Sequence, residues 1–324
     1  MMNDPVSMPK IDLHCHLDGS FSRSYVMRTL ELSELDDAKL HAPENCKSLT
    51  EYLTCFDLPI SCLQTKEHIT EGVIDVIAQA AKENVRYIEL RFAPACSVNN
   101  NLDLPSVIEA AISGCKKAFD KYGVFSNLIL CAMRHHTLKQ NLAVVRHTRE
   151  FLGYGVCALD LAGDEAGFPN EDFKELFEEA NRLGVPFTIH SGECGRTENV
   201  RLALAYGAKR VGHGIALIKD KNLMAECRNA RIGFELCPTS NFQTKAVTTY
   251  EAYPLRTFLD YGLLATINTD NRTVSSTSCT KEFLFAEQQL QITKEDFLTL
   301  YKNSVEISFA DDSVKHQLLY LCGA

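Results

Sequence analysis

The sequence predicts an α/β fold, a single (β/α)8 TIM barrel, on three observations. Eight β-rich stretches alternate with helical ones, the length suits one such barrel, and unusual polar residues collect where the strands end. Alternation of this kind makes a parallel sheet. An open doubly wound sheet stays as the alternative, because periodicity does not reveal closure. With no repeat, low-complexity tract or linker, the expectation is one domain over 1–324, with a helical lid insertion after the first strand (about 21–82) and helices at the C-terminal end.

The first strand is Lys10 to His14, an apolar run ending in His14-Cys15-His16. Within the insertion that follows, Leu49, Tyr52, Leu53 and Phe56 have the spacing of an amphipathic helix, and Ser48 with Glu51 fits a capping box. Strands are expected at Val85–Phe92, Ser126–Met133, Val156–Ala162, Val185–His190, Arg210–His213, Ile232–Leu236 and Leu263–Thr269. Helices are expected between them at Leu104–Lys121, Gln140–Gly153, Glu171–Leu183, Thr197–Tyr206, Asp220–Asn229 and Pro254–Tyr261.

Composition narrows the class of function. Hydrophobic residues make up 45% and charged residues 23%, the mix of a globular protein. A formal net charge of -9 gives no basic footprint for nucleic acid or an anionic membrane, and no apolar run reaches the ~18 residues of a membrane span. The N-terminal residues lack the basic and apolar regions of an export signal, and the thirteen cysteines are scattered without a C-x-x-C pair; the expectation is reduced thiols in the cytoplasm. A small neutral substrate suits this balance better than a polyanion.

The chemistry lies at strand ends. His14 and His16 are two apart on the first strand, so their side chains share a face, while Cys15 points the other way and packs. His190-Ser191-Gly192-Glu193 closes the fifth strand, His213-Gly214 the sixth, and Asp270-Asn271 the eighth. Alone, each has an ordinary reading: a satisfied core histidine, a tight turn, a helix cap. Barrel active sites form at the C-terminal ends of the strands, where these residues would meet. His14, His16, His190 and Asp270 then offer three neutral nitrogens and one anionic oxygen, a set that suits Zn2+ with room for a water, though ligand types do not exclude iron or another divalent metal. Glu193 and His213 remain as candidate acid and base beside that water.

These residues resemble a known family, the adenosine deaminases of the metal-dependent amidohydrolase superfamily. The matching pieces, in the family's order, are His14-Cys15-His16-Leu17-Asp18-Gly19, Leu161-Ala162-Gly163-Asp164-Glu165, His190-Ser191-Gly192-Glu193, Val211-Gly212-His213-Gly214, Cys237-Pro238-Thr239-Ser240 and Asn268-Thr269-Asp270. The resemblance implies hydrolytic deamination of adenosine and 2′-deoxyadenosine with one zinc per subunit. It implies that Glu193 gives a proton to N1 of the purine and that His213 helps to deprotonate and orient the attacking water. It further implies substrate contacts by His16, by Asp18 to the ribose 5′-hydroxyl, by the Gly163 N–H to N3 and by Asn271 to N7, under an apolar lid carrying Tyr52, Leu53 and Phe56. Many relatives carry an aspartate where this chain has Asn271; an amide can donate to N7 directly. An adenine or adenosine-derivative deaminase is the nearest alternative, but Asp18 suits a ribose-bearing substrate and would repel a phosphate. A barrel that binds nucleoside without turnover is a further alternative, and it would be expected to lack a ligand or the proton donor.

Overall fold

The computed structural model describes residues 4–43, 46 and 48–323. Eight parallel strands run round in sequence order: β1 (Lys10–His16), β2 (Val85–Phe92), β3 (Phe125–Met133), β4 (Val156–Ala162), β5 (Thr188–Ser191), β6 (Arg210–His213), β7 (Gly233–Leu236) and β8 (Leu264–Ile267). Continuous ladders join β1 to β4 and β5 to β8. Two seams join these runs. The Leu159 N–H donates to Pro186 O (3.0 Å), with Leu159 bridging Phe187. Across the other seam the His16 N–H donates to Asp270 O (2.7 Å) and the Asp270 N–H to His14 O (2.8 Å). The seams thus run through the residues just before β5 and just after β8, which close the two runs of strands into one ring in place of an open sheet.

The strands read as apolar runs because helices cover them outside and side chains fill the barrel inside; β4, Val-Cys-Ala-Leu-Asp-Leu-Ala, is buried throughout. The helices are α1 (Arg23–Thr29), α2 (Leu49–Leu53), α3 (Asp57–Ser61), α4 (Lys66–Ala81), α5 (Leu104–Tyr122), α6 (Leu138–Phe151), α7 (Lys174–Leu183), α8 (Thr197–Tyr206), α9 (Lys221–Asn229), α10 (Pro238–Gln243), α11 (Leu255–Tyr261) and α12 to α14 (Cys279–Gln289, Lys294–Ile307, Asp312–Leu321). Their starts carry side-chain caps where the sequence supplies them: Asp103 accepts from the Ser106 N–H ahead of α5, and Thr137 forms a capping box with Gln140 ahead of α6.

The structure shifts several expected boundaries, β8 for one ending at Ile267 and not Thr269, and three of the changes have a clear physical cause. β1 runs on to His16 because that residue pairs with Arg91 of β2. β5 begins at Thr188, since Pro186 lacks the N–H that a ladder needs. The stretch 21–82 has two parts: α4 packs on α5 and β2 as the first crossover helix of the barrel, and only the segment before it is extra. Within that segment Ser48 accepts from the Glu51 N–H, as a capping box requires, and the helix turns to 3-10 geometry at Thr54–Phe56.

Candidate active site

The strand ends surround a cavity of about 280 Å³, roofed by Leu49, Tyr52, Leu53 and Phe56 of the inserted segment. That roof is tied down by the Tyr52 hydroxyl against Ser275 Oγ (2.6 Å) and by the Ala42 N–H donating to Val274 O (2.8 Å). All nine residues singled out in the sequence lie in or against this space. His16, Asp18, Gly163, His190, Glu193, His213, Asp270 and Asn271 line it, and His14 stands directly behind, fully buried.

The histidines and Asp270 converge at their tips. His14 Nε2 and His16 Nε2 each lie 3.5 Å from Asp270 Oδ1, and His16 Nε2 is 3.2 Å from His190 Nε2. Donors at the corners of a tetrahedron about 2.1 Å from a zinc ion stand about 3.4 Å apart, so these separations are those of ligands sharing one ion. His14 Nε2 is buried with no hydrogen-bond partner, as a nitrogen awaiting a metal would be. His14, His190, His213 and Asp270 also offer atoms all within 4.8 Å of one another, a set of four that contains His213 in place of His16. His213 and Asp270 hold left-handed backbone angles (φ 60° and 57°), which non-glycine residues adopt at some cost and which turn both side chains inward.

Behind the tips a buried carboxylate orients each of two rings. His14 Nδ1 lies 2.8 Å from Glu235 Oε2, and His190 Nδ1 lies 2.9 Å from Asp160 Oδ2. Burial opposes ionisation of Glu235, yet the Arg91 and Arg210 guanidiniums beside it hold its carboxyl well below the usual range. An ionised Glu235 only accepts, so His14 Nδ1 carries the hydrogen and Nε2 presents a lone pair; the Asp160 contact does the same for His190. One guanidinium braces both, with Arg91 donating to Asp160 Oδ2 (2.9 Å), to Glu235 Oε2 (2.7 Å) and to the Leu13 carbonyl (2.7 Å). Arg210 continues the chain of charges to Glu235 Oε1 (2.7 Å) and Glu89, and stacks on Phe309 at the far end of the barrel.

On the other side of the cavity His213 Nε2 lies 3.6 Å from Glu193 Oε2, and Thr244 Oγ1 donates to Glu193 Oε1 (3.3 Å). Burial, reinforced by the negative charge of Asp270, pushes the Glu193 carboxyl well above its ordinary range. Burial holds His213 well below the ordinary imidazole value. Asn241 Nδ2 donates to His213 Nδ1 (2.9 Å) while Asn241 Oδ1 accepts from Tyr253 (3.1 Å), leaving His213 Nε2 to face Glu193.

Asp18 Oδ1 is buried without a hydrogen-bond partner, 4.0 Å from His16 Nδ1, and burial pushes its carboxyl up to about 7. Gly163 adopts φ 108°, open only to glycine, beside the cavity. A Cβ on Gly19 would strike Asn271 Oδ1, so glycine there lets the Asn271 amide lie flat against the backbone. Asp160, Glu235, Arg91 and Asn241 were not singled out from the sequence. The available signal was a lone charge inside an otherwise apolar strand for Asp160 and Glu235, whereas Arg91 shares its strand with Arg86 and Glu89. All thirteen cysteines are free, and all but Cys96, Cys194 and Cys322 are buried, which supports packing for Cys15 and Cys237.

Fold and cluster together define a class: a (β/α)8 barrel with a candidate metal centre at the C-terminal ends of its strands. The adenosine deaminase family model matches residues 9–322. An adenosine deaminase of Enterococcus faecalis is 41% identical over 96% of this chain and 95% of its own length, and one of Vibrio atlanticus is 39% identical over 98% of each. Among solved structures, the N6-methyl-AMP deaminase of Arabidopsis superposes with a TM-score of 0.87 at 25% identity over 98% of each chain. A zinc-bound amidohydrolase of Burkholderia ambifaria superposes with a TM-score of 0.89 at 20% identity, over 98% of this chain and 90% of that one. The chain belongs to the adenosine deaminase family, and it is a hydrolase of C–N bonds. No helix among the described residues is long and apolar enough to cross a membrane.

Proposed function

We propose that the protein converts adenosine to inosine and 2′-deoxyadenosine to 2′-deoxyinosine, releasing ammonia, with one zinc ion held by His14, His16, His190 and Asp270. The observation that carries this reading is the meeting, in one roofed cavity, of that donor cluster with the Glu193–His213 pair. When bound, the metal supplies a water whose pKa falls from about 16 toward 7. Glu193, protonated in its buried position, donates to the purine N1 and makes C6 electron-poor. Because Nδ1 of His213 accepts from Asn241, Nε2 carries the ring hydrogen and donates it in a hydrogen bond to the attacking oxygen, orienting that oxygen and steadying the negative charge that develops on it. Its Nδ1 contact with Asn241 keeps the ring in that orientation. The lid residues Tyr52, Leu53 and Phe56 exclude bulk water from the transfer.

Substrate contacts follow the same reading. Asp18 accepts from the ribose 5′-hydroxyl, the Gly163 N–H meets N3, His16 borders the sugar, and the Asn271 amide donates to N7. Carboxylates of Asp18, Asp57 and Asp164 border the cavity, and no lysine or arginine does so among the described residues, which supports a neutral 5′ end rather than a phosphate. The free thiols support a reducing compartment, the cytoplasm.

An absorbance assay across adenosine, 2′-deoxyadenosine, adenine and AMP, paired with metal analysis, tests this. Both nucleosides are expected to be turned over, with adenine and AMP lower in kcat/KM by on the order of 100-fold or more. Comparable turnover of AMP would overturn the substrate assignment.

A further inference from the structure

The loop after β4 buries a carboxylate that the chemistry above leaves unused. Glu165 is 1% exposed. Its Oε1 accepts from the Gly192 N–H (2.5 Å) and from Asn199 Nδ2 (2.7 Å), and its Oε2 accepts from the Cys194 N–H (3.0 Å). The two backbone donors belong to the residues on either side of Glu193. One carboxylate therefore grips the main chain both before and after the residue whose own side chain turns away from it into the cavity. Gly192, at φ 78°, supplies the left-handed bend that aims these N–H groups at a single anion.

The surrounding scaffold is fixed by other means. Arg134 Nη2 donates to the His190 carbonyl (2.6 Å) and to Asn170 Oδ1 (2.7 Å), and Asn170 Nδ2 donates to Ser191 Oγ (2.8 Å) and to the Asn199 carbonyl (2.8 Å). These bonds hold the end of β5 and the start of α8 without touching residues 192–194. A buried carboxylate is costly unless fully bonded, so spending one on two backbone amides is an expensive way to close a turn that a neutral side chain could close.

We infer that Glu165 is a positioning residue for proton transfer: it sets the backbone of Glu193 so that the Glu193 carboxyl faces both His213 and the substrate. The inference rests on the deaminase reading. Because Glu165 touches neither substrate nor reacting atoms, it acts on the rate through Glu193, and a misplacement of about 1 Å costs on the order of 100-fold.

Two variants test it. Glu165→Gln keeps the shape but has one acceptor oxygen, so its amide N–H faces a donor and one grip is lost; Glu165→Ala loses both. With adenosine, kcat is expected to fall about 10-fold in the glutamine variant and about 100-fold in the alanine variant. KM and the inhibition constant of inosine, which needs no proton from Glu193, are expected to stay within about 3-fold, and bound zinc per chain to stay unchanged. Should the alanine variant fail to fold, the glutamine variant decides the matter. A folded variant with wild-type kcat would overturn the inference, as would a loss confined to KM or to melting temperature. Absence of adenosine turnover by the wild-type chain would instead sink the deaminase reading, and this inference with it.

Discussion

Glu235→Gln perturbs the site at a buried carboxylate that meets four donors. Oε2 faces His14 Nδ1 at 2.8 Å and Arg91 Nη2 at 2.7 Å, and Oε1 faces Thr188 Oγ1 at 2.8 Å and Arg210 Nε at 2.7 Å. All four partners are donors, so the amide nitrogen of glutamine must oppose one pair of them whichever way it turns. Arg91 keeps Asp160 and Arg210 keeps Glu89, which limits the damage to one carboxylate's share of the network. Breaking one member of a buried ion pair costs about 3–5 kcal/mol, and removing an outer partner of a ligating histidine lowers metal affinity about 10- to 100-fold. Urea unfolding of the zinc-loaded chain, with the slope checked for constancy, measures the first, and competition with a chelator measures the second. Loss of less than about 1 kcal/mol together with unchanged chelator resistance would refute the view that Glu235 fixes the His14 ring.

Other expectations follow from the same geometry. Glu193→Gln should lower kcat by about 100- to 10,000-fold while leaving KM within about 3-fold, and steady-state kinetics that show lost binding with intact turnover would count against its part as proton donor. Gly19→Ala should press on Asn271 and raise KM for adenosine at a stability cost of about 1–3 kcal/mol; a wild-type KM would mean that the Asn271 amide does not meet substrate. Glu282 accepts from Thr277 Oγ1 (2.5 Å) and the Thr239 N–H (3.2 Å), and burial pushes its carboxyl up to about 7. The folded state thus keeps a proton that the unfolded chain releases near pH 4.5, so this group's contribution is full at low pH and is lost as pH rises toward 7, at up to about 1.4 kcal/mol per pH unit. Glu282→Gln should flatten that fall in urea midpoints between pH 5 and 7, and parallel profiles for the two proteins would contradict it.

The elements most legible in the sequence were those whose pattern is local. β4 falls where its apolar run places it, at Val156–Ala162, because a strand buried on both faces admits few polar residues, and β2 falls at Val85–Phe92, where its β-rich stretch places it. The histidines and Asp270 stood out for the converse reason: polar groups at the ends of apolar strands, brought together by the barrel. Long-range partnership was not legible. Arg91 meets Asp160 and Glu235 across gaps of 69 and 144 residues, and a charge inside a strand does not announce which distant charge satisfies it. Nor does amphipathic spacing distinguish a lid helix from a crossover helix. The expected insertion therefore ran through α4, whose buried face of Ile69, Val73, Val76 and Ile77 belongs to the barrel wall.

The most direct measurement of the central claim is the rate of ammonia release from adenosine as zinc is returned to metal-stripped protein. The rate should rise in proportion to added zinc and level off at one ion per chain, with His14→Ala abolishing the response. Undiminished deamination by the stripped protein, or a rate indifferent to bound zinc, would contradict the assignment of His14, His16, His190 and Asp270 as a catalytic metal centre.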